Sequence, residues 1–129
     1  MGDNVGGFSY KVVSQSTEQE DFINAVNKMK KQIHENAVNH GWWEGDREDG
    51  TCIALMHSEL SECLEALRNG ENLPDKHCPE YSAVAVELAD CIIRIFDYCG
   101  RKNIPIAEAI VAKHLHNINR PYKHGGKKF

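Results

Sequence analysis

Two short acidic motifs have the residue types and spacing to do chemistry. "ELSE" places Glu59 and Glu62 three residues apart, and "ELAD" does the same with Glu87 and Asp90. Side chains at i and i+3 on a helix are neighbours, about 5–6 Å apart at Cβ, so each motif can aim two carboxylates at one point. If the two helices face each other, four carboxylates converge. Uncompensated, that convergence is repulsive and costly to desolvate. The usual compensation is a divalent cation. An all-carboxylate set without His or Cys at matching spacing selects hard Mg²⁺, with Mn²⁺ as a substitute, over zinc. A di-iron bundle needs Glu-x-x-His, which no Glu here supplies. The competing reading, ordinary surface acids paired with Arg94 or lysines, is weaker for "ELAD" because its surroundings are so apolar.

The elements that must position these acids follow from hydrophobic periodicity. "STEQEDF" offers Thr17 as N-cap with Glu20 three residues on, a capping box. Phe22, Val26, Met29, Ile33 and Ala37 then recur at helical spacing up to Gly41, predicting helix one over 18–40. Helix two is predicted over 51–69, ending at Asn69-Gly70. Its core stripe is Ile53, Met56, Leu60, Cys63, Leu64 and Leu67, with His57 turned to the same side. Ser58, Ser61, Glu65 and Arg68 form the solvated face. Glu59 and Glu62 occupy the flank between, beside Cys52, Leu55 and Ala66.

Helix three, predicted over 80–99, is apolar nearly all round and so reads as a buried central helix. Its charged residues Glu87, Asp90, Arg94 and Asp97 share one stripe about 80° wide. Helix four is predicted over 105–119 and stops at Arg120-Pro121. Four helices joined by short loops make an all-α, four-helix bundle-like fold. Helix three carries more apolar faces than a lone four-helix monomer can cover, so a homo-oligomer is expected.

A chain of 129 residues is expected to form a single domain over 1–129, with a Gly-rich arm at 1–14 and a basic tail at 121–129. A net charge of −4 argues against nucleic acid as a partner. No apolar run is long enough to cross a bilayer, and the first residues lack a signal-peptide core. The five cysteines are odd in number and form no C-x-x-C pair. A reduced, cytoplasmic protein is expected, with no zinc site at His77 and Cys78.

"SELSE", 24 intervening residues and then "ELAD" resembles the metal signature of the MazG-like, all-α nucleoside triphosphate pyrophosphohydrolases. Relatives of that family include dimeric dUTPases, dCTP pyrophosphatases and phosphoribosyl-ATP pyrophosphohydrolase. The resemblance runs from helix one through "KHLHNINRPYKHGG". Ser58 is a departure, because the family pattern often carries another Glu there, but the four-carboxylate set is intact. The resemblance implies Mg²⁺-dependent hydrolysis of an NTP or dNTP to monophosphate and pyrophosphate, as nucleotide-pool house-cleaning. The metal ligands would be Glu59, Glu62, Glu87 and Asp90. Glu59 or Glu62 would orient or deprotonate the water that attacks the α-phosphorus. Lys113, Asn117 and Arg120, spaced i, i+4, i+7, resemble the family's phosphate-binding element, and Lys123 and His124 would assist. His34 and Trp43 resemble the residues lining the nucleobase pocket in dCTP-pyrophosphatase-like members. Two alternatives are a non-catalytic helical module that binds a nucleotide or protein, and phosphoribosyl-ATP hydrolysis.

Overall fold

The computed structural model describes residues 16–122, together with the backbone of Asn4–Val5 and Phe8–Ser9. The remainder of the predicted arm, and the tail from 123 on with Lys123 and His124, lie outside the described residues. The fold is all-helical: α1 (Thr17–Asn39), α2 (Asp49–Asn69), α3 (Ala83–Lys102) and α4 (Ile106–Ile118). A minimal antiparallel ladder precedes them, pairing β1 (Asn4–Val5) with β2 (Phe8–Ser9). No helix among the described residues is long and apolar enough to cross a membrane.

The helix ends are set by caps. α1 is capped by Ser16, not Thr17: Gln19 N–H donates to Ser16 Oγ at 3.2 Å, and Ser16 N–H donates to Gln19 Oε1 at 2.9 Å. Ser16/Gln19 and Thr17/Glu20 both fit the capping-box pattern, and the earlier pair forms it. α3 begins later than its periodicity predicts because Ser82 Oγ accepts from Ala85 N–H at 3.2 Å. It also ends later, at Asn103, whose φ of 55° is the left-handed conformation that Asn tolerates at a helix end.

α3 is the central element, lying against both α1 and α2, while α4 packs on the outer side of α1. Ile23, Ala107 and Val111 form a small buried core between α1 and α4, flanked by Val26 and Leu115. The α2–α3 seam is built on thin residues. Cys63 Sγ lies 3.9 Å from Val84 O, and Cys91 Sγ lies 3.6 Å from Met56 O.

The side of α2 that this seam buries only partly matches its predicted apolar stripe: Cys63 is buried and Met56 half-buried, but the other four members are exposed. Cys52, Glu59 and Cys63 are buried, whereas Ile53, Leu60, Leu64 and Leu67 remain 43–50% exposed. His57, expected on the core side, is exposed as well. α3 is likewise less covered than a central helix should be, with Leu88 and Ile92 both exposed. Periodicity identifies the apolar face of a helix but not the element that covers it. Within one chain, α3 meets the flank of α2 and the Cys63 edge of the apolar stripe, and leaves the rest of the stripe open.

α1 and α3 approach closely at Gly100, where an added Cβ would lie 2.7 Å from His34 Cβ. Alanine there gains about 1 kcal/mol of helix propensity. The neighbour is the root of a side chain, however, and overpacking of this kind costs ~1–3 kcal/mol. We expect Gly100→Ala to lower the thermal midpoint and to shift the His34 imidazole NMR signals. A midpoint equal to or above that of the parent would contradict this packing.

Candidate functional site

The α2–α3 seam brings acids together. Glu59, Glu87 and Asp90 each offer a carboxylate oxygen, and these oxygens lie within 4.8 Å of one another. Glu59 is buried and the other two are half-buried. Glu62, one turn on from Glu59, is exposed and close enough to Glu59 and Glu87 to interact with both. One cation enters the group: Arg94 Nε–H donates to Glu59 Oε1 at 2.5 Å. Glu65 stays on the solvated face, 3.6 Å from Arg68.

The electrostatics follow from this crowding. Burial pushes the Glu59 carboxyl up, but the hydrogen bond and charge of Arg94, with hydrogen bonds from Glu62 and Glu87, outweigh it and leave Glu59 lowered. The hydrogen bond to Glu59, then its charge, raises Glu62. Burial, then the charges of Glu62, Asp90 and Glu59, pushes Glu87 up to about 6. Asp90 is raised by burial and by Glu59, against the pull of Arg94. Protons and one guanidinium therefore supply the positive charge that four ionised carboxylates would otherwise lack.

The donor set fits a hard divalent ion. Mg²⁺ binds oxygens at about 2.0–2.1 Å, which puts neighbouring and opposite ligands roughly 3–4 Å apart. The three oxygens, within 4.8 Å of one another, are close to that spacing. No other group of three or more His, Cys, Asp or Glu residues clusters this way among the described residues.

The acids stand between two cavities. The larger, about 770 Å³, has Glu59, Asp90 and Arg94 on its wall, with Trp42, Gln32 and Asn36 from α1 and the turn that follows. The smaller, about 490 Å³, is bordered by Glu62, Glu87, Lys76 and His77.

The other predicted site residues are distributed less simply. His34 and Trp43 do meet, at Asp97. His34 Nδ1 lies 2.8 Å from Asp97 Oδ1, and Trp43 Nε1–H donates to the same oxygen at 2.9 Å. The two rings pack edge to face with centroids 5.9 Å apart. Arg101 and Arg47 stand 5.1 and 5.7 Å from the Trp43 ring centre. Asp97 lines the larger cavity, whereas the indole on its wall is Trp42. Lys113 and Asn117 are exposed on α4 and Arg120 is exposed just beyond its C-cap; α4 packs on α1 and not on the acid-bearing pair. One chain therefore does not bring them to the carboxylates.

Sequence reasoning assigned no site role to Arg94, Asp97 or Trp42. For the first two the signal was present, since they share the charged stripe of α3 with Glu87 and Asp90. No spacing rule distinguishes Trp42 from Trp43 in a turn.

Comparison with protein-family models, curated proteins and solved structures yields no match.

The raised Glu87 carboxyl has a stability consequence. Its folded value of about 6 exceeds the ordinary 4.5, so the folded state holds the proton more tightly. The stability this contributes is fully present below 4.5 and is lost as pH rises through 6. Glu62 and Asp90 act in the same direction. We expect the thermal midpoint in EDTA to fall across that window, and Glu87→Gln to flatten the fall. Equal slopes in parent and variant would contradict it.

Proposed function

We propose that this chain is a Mg²⁺-dependent nucleoside triphosphate pyrophosphohydrolase of the MazG-like type. It converts an NTP or dNTP to the monophosphate and pyrophosphate, as cytoplasmic nucleotide house-cleaning. The observation that carries this reading is the meeting of Glu59, Glu87 and Asp90 beside a cavity of about 770 Å³. That volume is within the ordinary range for small-molecule sites, roughly 300–1,000 Å³.

In this reading Glu59, Glu87 and Asp90 hold the ion, and Glu62 completes the set from the solvent side. A divalent ion bound there supplies Lewis acidity to the triphosphate and to the attacking water. Glu62, exposed and raised by its neighbours, orients that water and accepts its proton. The Trp42 wall and the Asp97-held pair of His34 and Trp43 form the nucleobase end. Lys113, Asn117 and Arg120 are assigned to the pyrophosphate, which requires α4 of a second copy to approach the acids.

A second copy is also supported by the open stripe of Ile53, Leu60, Leu64 and Leu67 and by Leu88 and Ile92. Contiguous apolar faces of that kind are uncommon on monomers. We expect a homodimer or homotetramer by sedimentation at micromolar concentration, and a monomer would contradict this part of the reading.

The alternative, a non-catalytic helical nucleotide- or protein-binding module, has one observation in its favour: Arg94 satisfies Glu59 without any metal. Pyrophosphate release from a panel of NTPs and dNTPs, with and without Mg²⁺, separates the two. We expect Mg²⁺-dependent turnover of at least one substrate. Glu62→Gln should reduce it ~10²-fold or more, as loss of a general base does, and Glu65→Gln should leave most of it. No turnover on any substrate, from a Glu87→Gln variant and a parent that melt alike, would decide for the module.

A further inference from the structure

We propose that Arg94 is the resident counter-cation of the acid cluster and exchanges partners when the site fills. It would release Glu59 to the divalent ion and move onto the phosphates of the nucleotide. This inference rests on the metal reading given above and concerns a residue to which that reading gives no role.

The geometry sets the two cations in competition for Glu59. Arg94 Nε–H donates to Glu59 Oε1 at 2.5 Å, and Glu59 belongs to the carboxylate group whose oxygens lie within 4.8 Å of one another. An ion bound to that group would sit beside a guanidinium fixed on one of its own ligands. Two cations that close repel strongly where water is scarce. Arginine cannot relieve the repulsion by losing its proton, because it remains charged at any accessible pH. It can only move.

The structure provides somewhere to go. Arg94 is 35% exposed while Glu59 is 8% exposed, so the guanidinium reaches in from the open side. Its side chain already lines the larger cavity, together with Glu59 and Asp90. A triphosphate lying over the carboxylates would present oxygens on that wall, and the planar guanidinium fork binds such oxygens in bidentate fashion. Arg94 then opposes the ion while the site is empty and supports the nucleotide once both are present. Ion and nucleotide binding become coupled through one side chain. An ordinary structural ion pair would have no such consequence.

The test measures Mn²⁺ alone, by electron paramagnetic resonance of free ion, on the full chain without nucleotide. Removing a competitor for Glu59 should tighten binding, and we expect Arg94→Met to bind Mn²⁺ about tenfold more tightly than the parent, within the usual span of such couplings. A non-hydrolysable triphosphate analogue should then tighten Mn²⁺ binding in the parent and much less in the variant. Because Arg94→Met leaves Glu59 without a partner, Arg94→Lys serves as a second variant, with circular dichroism confirming the helices of both. Lysine retains the charge but not the fork. It should bind Mn²⁺ alone nearly as the parent does, yet lose most of the coupling to the analogue. Equal or weaker Mn²⁺ binding by Arg94→Met, with the parent binding normally, overturns the exchange and leaves the metal reading intact. No Mn²⁺ binding by parent or variants overturns both.

Discussion

Like charge converging between two helices is the constraint on which the rest of this structure depends. Glu59 and Glu62 from α2 meet Glu87 and Asp90 from α3 at a seam built on Cys63 and Cys91. Small residues at the seam let the helices come close enough for their acids to interact. Closeness then sets the electrostatics: Glu62, Glu87 and Asp90 are raised, and Glu59 stays lowered because Arg94 sits on it. Arg94 keeps the buried Glu59 carboxylate paired, so the contact is structural as well as electrostatic. Four acids and one guanidinium form a poor solution if stability alone is considered, and an intelligible one if a divalent ion completes the site.

α4 packs on α1, α1 on α3 and α3 on α2, so the helices form a chain of neighbours more than a closed bundle. Both large cavities border the acid seam, and the compact apolar cluster around Ala107 and Val111 lies between α1 and α4. Most of the apolar stripe of α2 faces outward. A second copy covering that stripe would add the core that one chain lacks, and it is also the route by which the cations of α4 could reach the acids.

Much of the architecture was legible in the sequence. Four amphipathic segments gave four helices, with ends displaced by caps that pattern matching leaves ambiguous, as at Ser16 and Thr17. The acid pairs were legible because i, i+3 spacing is a local property of a helix. The facing of α2 was not legible. Of its apolar stripe α3 covers the edge at Cys63, together with Cys52 and Glu59 of the flank, while Ile53, Leu60, Leu64 and Leu67 stay open. Which neighbour a helix meets is a non-local fact, and the partner here presents a charged stripe. Asp97 illustrates the same limit. Its membership of the stripe was readable, but its two hydrogen bonds to His34 and Trp43 depend on the close α1–α3 approach at Gly100.

The central claim is that the α2–α3 carboxylates hold a divalent ion, and anomalous diffraction from crystals of the chain soaked in Mn²⁺ tests it most directly. We expect a peak at the seam, about 2.0–2.4 Å from oxygens of Glu59, Glu87 and Asp90, as oxygen-ligated divalent ions require. Mn²⁺ bound at other acids, with no peak between α2 and α3, would contradict the claim.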